Sequence, residues 1–493
     1  VADLPPPRDP TIPLGLVLAV AAGILRLRPL GAPDVWWHLS VGRTVLAERA
    51  RRFPDVVGIP PKDEFVAGEW LFDVLAVGLH DVGGSAALVI FAALAAVASF
   101  LAVWALARFL AGPAHRWSAL GVTALVAATT AVRFFPRPHV LFLVLLPVVL
   151  LLAAKAARAP AREQLPWLGG LLATVALWSQ CHPSVLIAPA VVGAAGAPWV
   201  FGRRRADDVA SLTPAMWATF GLLCAMPLLS PYGAGIFDQI LGHAGTDSTA
   251  HIGEMHPMPP EWWWPPRARS ILFVEVLAGM GIVGAIRSRR VAIGPAGLAL
   301  FGLFMTLNTH RFRSAWAILL VPLVIDGLRG SLRRENGRVA AVVLATALLL
   351  VGSQARGWGG PDLGLDPEWV PTELGEAVVR HGVEGPIFND YDAGGYLGWT
   401  LYGKARVFID GRTPPFFTDD HFFAMRAAMA DPAVFARLDR GYRFTAAVVP
   451  HGEPLCAGLV RDEAWGAVWV GPRRTLFLKG APRGPEGCSP APE

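Results

Sequence analysis

Three groups of residues carry chemistry that their types and spacing make specific. The first is Pro33-Asp34-Val35-Trp36-Trp37-His38-Leu39, in which one carboxylate stands beside two indoles and an imidazole. Two roles are open to Asp34: a general base taking a proton from a nucleophile, or the N-cap of the helix that follows. The second group is cationic. Arg133-Phe134-Phe135-Pro136-Arg137-Pro138-His139 and His310-Arg311-Phe312-Arg313 each place guanidinium groups between apolar runs. Arg133, Arg137, Arg311 and Arg313 suit a phosphate, which guanidinium binds through charge-assisted hydrogen bonds; snorkelling toward lipid headgroups is the alternative. The third group lies near the C terminus. Asn389-Asp390-Tyr391-Asp392-Ala393-Gly394-Gly395-Tyr396 precedes a strand ending Ile409-Asp410-Gly411-Arg412. Gly394-Gly395 reads as a tight turn with close backbone approach, and Asp410-Gly411 as another turn. His182 stands near a helix break, where it either meets substrate or satisfies backbone groups. No Gly-rich nucleotide loop, zinc-type H-E-x-x-H or nucleophile elbow is present.

The elements that must position these groups are membrane helices. Of 493 residues 54% are hydrophobic and only 16% charged, against roughly 25% charged in soluble domains, with a mean hydropathy of +0.46. An ordinary soluble enzyme and a disordered chain are both excluded. Apolar segments fall at about 12–30, 85–110, 117–133, 138–155, 166–181, 184–201, 213–230, 270–286, 292–309, 312–328 and 339–353, predicting about eleven transmembrane helices. Five alternate loops are basic: Arg108/Arg116, Lys155/Arg158/Arg162, Arg203–Arg205, Arg287/Arg289/Arg290, and Arg329/Arg333/Arg334/Arg338. Basic loops stay on the cytoplasmic side, so the expected topology has the N terminus inside and residues after 353 outside. The net charge of +5 reports this loop bias rather than nucleic-acid binding. Val1–Pro13 is polar and Pro-rich with no cleavage pattern after the first apolar run, so no removable signal peptide is expected.

This topology gives a transmembrane domain over 1–353 and a soluble extracytoplasmic α/β domain over 354–493. The first outer loop, 31–84, is expected to carry two amphipathic helices broken by Pro54 and Pro60-Pro61, with Trp36 and Trp37 among the headgroups. The second amphipathic stretch, Glu69–His80, leads to Gly83-Gly84 and the next span. A second long outer loop, 231–269, contains Trp262–Trp264, which fits an interfacial belt. In the soluble domain, Ala405–Asp410 and Thr445–Val449 predict strands and Asp420–Leu438 a helix. Cys181 and Cys224 read as small buried hydrophobes; Cys456 and Cys488 are able to pair if their domain faces an oxidising compartment. No internal repeat of the kind that builds many transporters is visible.

The acid opening the first outer loop, the paired juxtamembrane helices, the Pro-rich link and the glycines before the second span resemble the GT-C membrane glycosyltransferases. That resemblance implies Asp34 as catalytic carboxylate and a sugar on a polyprenyl phosphate or diphosphate as donor. His251-Ile252-Gly253-Glu254 resembles the Ile-x-Glu motif in an external loop of oligosaccharyltransferases, which implies a role for Glu254 with the acceptor. Asp390, Tyr391 and Gly394 resemble part of their Trp-Trp-Asp-Tyr-Gly acceptor motif, although Phe388 and Asn389 replace the two Trp. The resemblance firmly implies no cofactor. A divalent cation (Mg or Mn) is compatible with it, but the paired metal acids expected between the third and fourth spans are missing, and Arg133–His139 stand there instead. The whole chain also resembles a group of large bacterial membrane proteins that share the Asp-x-Trp-Trp-His-Leu opening, the Ser230-Pro231-Tyr232-Gly233 corner and the Gly-Gly-Tyr-Leu and Asp-Gly-Arg segments.

The expected activity is therefore inverting transfer of a sugar from a polyprenyl-(di)phosphate donor at the outer face of the cytoplasmic (inner) membrane. Asp34 and Glu254 are the expected catalytic residues, Arg133, Arg137, Arg311 and Arg313 the donor-phosphate ligands. Trp36, Trp37, His38, His182, Asp390, Tyr391, Asp392 and Tyr396 are the expected acceptor or substrate contacts. The alternative is a non-catalytic accessory subunit that keeps the scaffold and docks a membrane-protein partner through residues 354–493.

Overall fold

A computed structural model of the protein describes residues 9–60, 62–200, 213–244, 246–251, 255–259, 268–289, 292–332, 334–412, 416–482, 484 and 487–488. Glu254 and Trp262–Trp264 lie outside the described residues. The chain divides into two compact units that are not consecutive in sequence: 1–28, 89–230 and 253–363 form one, and 29–88, 231–252 and 364–493 the other.

The first unit is helical. Each of the eleven expected apolar segments contains a helix, from Thr11–Ile24 to Gly337–Ala355. Among the described residues, however, only five helices of the chain are long and apolar enough to cross a membrane, and a pair bent by 93° at Pro214–Leu229 and Gly233–Gln239 makes a sixth if counted as one span. The physical reason is length. Arg116–Thr130 and Gln164–Ser179 have 15 and 16 residues, short of the ~20 that span a hydrocarbon core at ~1.5 Å per residue. Helix packing depends on small residues: a Cβ on Gly284 would meet Gly327 backbone at 2.6 Å, so helices Arg269–Ser288 and Arg313–Ser331 touch main chain to main chain. Cys181 is buried as expected, but Cys224 sits on an exposed helix face.

The second unit is built on a mixed sheet. A short antiparallel ladder pairs β1 (Arg52–Phe53) with β2 (Phe65–Val66). The main sheet contains β3 (Gly385–Asn389), β4 (Ala405–Val407), β5 (Ala446–Pro450), β6 (Trp465–Val470) and β7 (Arg474–Lys479) in the order β4-β3-β5-β7-β6. The first two pairings are parallel and the last two antiparallel. Strand alternation sends Ile387, Ala446 and Val448 to one core with Leu374, Val378 and Leu397, and Phe388, Ala447 and Val449 to another with Phe422, Met425 and Phe435. Both faces are thus covered by helices.

Residues 31–84, the loop expected on the outer side, belong to this unit. Ile59 N–H donates to Val407 O at 2.9 Å and Val407 N–H to Val57 O at 2.8 Å, so the Pro-rich link pairs with the open edge of β4. Upstream, Leu30 N–H donates to Gly364 O at 2.9 Å. The expected amphipathic helices are present as Val35–Glu48 and as the first part of Trp70–Ala111, which loses helical geometry at Gly83 and Gly84.

Three local expectations are corrected. The helix expected over 420–438 is two helices, Asp419–Ala430 and Pro432–Tyr442. Pro432 lacks the N–H that would continue the first, and the Asp431 carboxylate caps the second by accepting from Ala433 N–H at 2.8 Å. Gly394-Gly395 is not a turn but lies inside helix Tyr391–Thr400. Trp36 does not face headgroups: it is buried, with its ring edge-on to Tyr396 at 4.8 Å. Cys456 and Cys488 are joined as a disulfide that anchors the C-terminal segment to helix Pro454–Arg461. Alkylation of the denatured, unreduced protein should therefore label Cys181 and Cys224 alone, with Cys456 and Cys488 labelled only after reduction; mass mapping that finds all four labelled without reductant would contradict the bridge.

Candidate active site

Asp34 occupies the N-cap position of helix Val35–Glu48 but makes no side-chain capping bond. Its carboxylate points instead at Gly411, where an added Cβ would collide with Asp34 Oδ1 and come within 2.8 Å of Trp37 Nε1. Only glycine leaves room there. The Trp37 indole N–H beside this carboxylate is buried and has no acceptor. Gly395 allows a second close approach, since a Cβ there would lie 2.9 Å from Pro33 O. Gly394 and Gly395 are thus required by the approach of neighbouring backbone, at Ile409 and Pro33, and Gly411 by the approach of the Asp34 and Trp37 side chains, rather than by positive φ.

One turn after Asp34, His38 is buried and its Nδ1 lies 2.7 Å from Asp73 Oδ1. Its Nε2 is 3.9 Å from Glu69 Oε2. The indole of Trp37 stacks on the imidazole at 3.5 Å between ring centroids. Glu69 and Asp73 are four residues apart and so share a face. Gly42 lets the two helices come together, because a Cβ there would collide with Asp73 O. Tyr232 closes the cluster: its ring packs over Gly68, and its phenol lies within electrostatic reach of Glu69 and Asp73. The arrangement can hold or pass a proton immediately behind Asp34.

A buried ion triad braces the same region. Arg412 Nη1 donates to Asp55 Oδ1 at 2.7 Å, while Nε and Nη2 donate to Asp410 at 2.9 and 2.7 Å. Asp55 also accepts from Gly58 N–H at 2.8 Å. Burial opposes the guanidinium charge, yet the two carboxylates overcome it and push the Arg412 pKa above its ordinary value. Asn389, fully buried where the resemblance expects Trp, donates from Nδ2 to Ile409 O at 2.8 Å and accepts from Phe408 N–H at 2.8 Å. It ties the end of β3 to the segment that carries Asp410-Gly411-Arg412.

The cationic residues gather in the first unit. The guanidiniums of Arg133 and Arg137 lie 5.5 and 4.9 Å from the Phe135 ring centre. Arg313 is within electrostatic reach of Arg133, its Nη1 is 3.1 Å from His310 Nδ1, and its buried Nε has no acceptor. Arg311 is directed to Met255 Sδ at 3.5 Å. His182 has a local role: its Nδ1 accepts from Ser184 N–H at 3.0 Å and caps the turn Pro183–Leu186. It serves a backbone N–H rather than a carbonyl.

The expected acceptor residues do not form one group. Asp390 is closed by Arg474, which donates from Nε and Nη2 at 2.9 and 2.7 Å. Tyr391 is edge-on to Phe422, Asp392 is exposed, and Tyr396 serves as the platform for Trp36. The sequence reading missed Glu69, Asp73, Asp55 and the bracing role of Arg412. No pattern marks the first pair, since acids at i and i+4 on an amphipathic helix ordinarily belong to its wet face.

Among the described residues, no group of three or more His, Cys, Asp or Glu side chains has a geometry that would hold a metal ion. Arg412→Ala would leave Asp55 and Asp410 buried without their cation and should cost about 3–5 kcal/mol. Arg380→Ala, which loses only an exposed contact with Glu376, should change stability by less than about 0.5 kcal/mol. Denaturant unfolding of the full-length protein measures both, and equal small effects would refute the brace.

No family model matches the sequence, and no curated protein matches it. Its fold is similar to solved structures. The oligosaccharyltransferase AglB from Archaeoglobus fulgidus, in complex with an inhibitory peptide and a dolichol-phosphate, aligns with a TM-score of 0.59 at 12% identity, covering 89% of this chain and 69% of that one. The apo form of the A. fulgidus oligosaccharyltransferase aligns at 0.57 with 11% identity over 88% and 69%. ArnT from Cupriavidus metallidurans bound to undecaprenyl phosphate aligns at 0.43 with 14% identity over 97% and 99%. The chain shares the fold of the A. fulgidus oligosaccharyltransferase.

Proposed function

We propose that this chain is an inverting glycosyltransferase that moves a sugar from a polyprenyl-(di)phosphate donor to an acceptor at the outer face of the cytoplasmic membrane. The observation that carries the reading is Asp34: a carboxylate at a helix N terminus that makes no capping bond and is held instead beside Gly411 and the unsatisfied Trp37 N–H.

In this mechanism the acceptor hydroxyl or amide attacks the anomeric carbon while its proton passes to Asp34. The new bond forms from the nucleophile to that carbon. The bond from carbon to donor phosphate oxygen breaks, and its electron pair leaves with the phosphate. Arg133, Arg137, Arg311 and Arg313 stabilise the charge that develops on the phosphate. His38, oriented by Asp73, keeps a proton-accepting group behind the base. Glu254 and Tyr396 are assigned to acceptor positioning. Asp390 is not, because Arg474 occupies both its oxygens. The disulfide supports placing the C-terminal residues outside, where such bridges persist.

The second reading, a non-catalytic accessory subunit docking a membrane protein through residues 354–493, is favoured by that same closure of Asp390. Activity separates the two. Membranes containing the protein are supplied with polyprenyl-phosphate-linked radiolabelled sugars, and label leaving the lipid fraction is followed. Asp34→Asn and Asp34→Ala should both abolish release with the fold retained. Gly411→Ala, which crowds the Asp34 carboxylate, should lower the rate at least about ten-fold. An active Asp34→Ala protein would sink the mechanism, and an inert wild type that co-purifies with a partner in fixed ratio would establish the accessory subunit.

A further inference from the structure

The helical unit contains an apolar cavity of about 60 Å³, room for roughly four to six water-sized groups. Its walls come from four helices, with Ala22, Ala96, Ala127 and Leu350 among the residues lining it. The side-chain hydroxyls on its wall are spent internally: Ser99 donates to Leu143 O at 2.9 Å, Thr123 to Ala119 O at 2.7 Å and Thr130 to Ala127 O at 3.2 Å. The interior therefore offers water few partners, and hydrocarbon suits it better. No carboxylate lines it, so it supplies no base for sugar transfer.

One end carries charge. Arg26, just beyond helix Thr11–Ile24, lines the cavity and donates from Nη1 to Ala131 O at 2.7 Å. It is half-buried, and among the described residues no carboxylate forms an ion pair with it. Arg28 lies two residues on and is exposed, donating to Gln354 O at 3.2 Å. Leu18 and Ala22, on the same wall, are two turns and one turn deeper, about 12 and 6 Å along the helix axis. A guanidinium in low dielectric without an anion is costly, while a phosphate diester satisfies it with charge-assisted hydrogen bonds. An apolar slot with a cation at one end matches the phosphate and the first methylenes of a phospholipid in size and charge.

We propose that this cavity holds the first few methylenes of one acyl chain of an anionic glycerophospholipid, its phosphate at Arg26 and the rest of the chain in the bilayer, as a resident structural lipid. The assignment does not depend on the glycosyltransferase reading. The lipid packs four helices together and neutralises Arg26 without taking part in chemistry.

The test is native mass spectrometry on the delipidated full-length protein, titrated with phosphatidylglycerol, phosphatidylcholine or undecaprenyl phosphate as separate probes. Wild type should retain one phosphatidylglycerol, at least ten-fold more avidly than phosphatidylcholine. Ala127→Leu, which fills the slot, should reduce occupancy at least ten-fold. Arg26→Gln keeps a donor for Ala131 O, so the fold survives; it should bind both phospholipids equally. The proposal is overturned if wild type does not prefer the anionic lipid, or if Arg26→Gln keeps that preference. It is equally overturned if undecaprenyl phosphate outcompetes phosphatidylglycerol and is lost in Ala127→Leu, which would make the cavity a donor site.

Discussion

Arg412 is the contact on which the second unit turns. Its guanidinium is buried between Asp55, from the loop between the first two long apolar segments, and Asp410, more than 350 residues further along the chain. Desolvating three charged groups costs several kcal/mol for each ion, and good geometry is what recovers it. Here the geometry is nearly saturated: two carboxylates, a bidentate contact and two backbone N–H groups on Asp55 satisfy the set. Such a triad adds little to net stability over an apolar core, but it fixes register. The loop carrying Asp34 can meet the segment carrying Gly411 in one alignment only.

That constraint explains the glycines around the candidate base. Gly42, Gly395 and Gly411 each stand where a methyl group would strike a neighbouring main chain or carboxylate. They let Asp34, Trp37, His38 and Asp73 converge from two helices and a loop, although no two adjacent segments of sequence encode that convergence. The cost is backbone entropy in the unfolded chain. The return is that the carboxylate is held by packing from several sides, which is the precondition for using it in chemistry rather than in helix capping.

What could be read from the sequence divides along a physical line. Apolar runs report burial in lipid directly, so a helix stands in each expected segment; their number as spans was not readable, because hydropathy does not show that Arg116–Thr130 is only 15 residues long. Asp34 was legible as an acid isolated beside two Trp. Asp73 was not, because an acid on an amphipathic helix normally marks the wet face, and here that face is closed by His38 and Tyr232. Asp390 looked like a binding residue since nothing near it in sequence reveals Arg474, 84 residues away. Trp36 and Trp37 looked like headgroup anchors because indoles favour interfaces, whereas Trp36 is used against Tyr396.

The two Trp side chains part company in a way that bears on function. Both have a buried indole N–H without an acceptor, and an unmade bond of that kind costs about 1–3 kcal/mol. Trp36 recovers part of this through edge contacts with Tyr396 and His80. Trp37 instead stacks on His38 and turns its N–H to the space beside Gly411 and Asp34. The Trp37 indole N–H is thus a buried donor without an acceptor, next to a carboxylate that does not cap its helix. A bound oxygen at that point would satisfy the indole and face the base together. In the proposed transfer, a substrate hydroxyl arriving there would be oriented by the indole and deprotonated by the carboxylate.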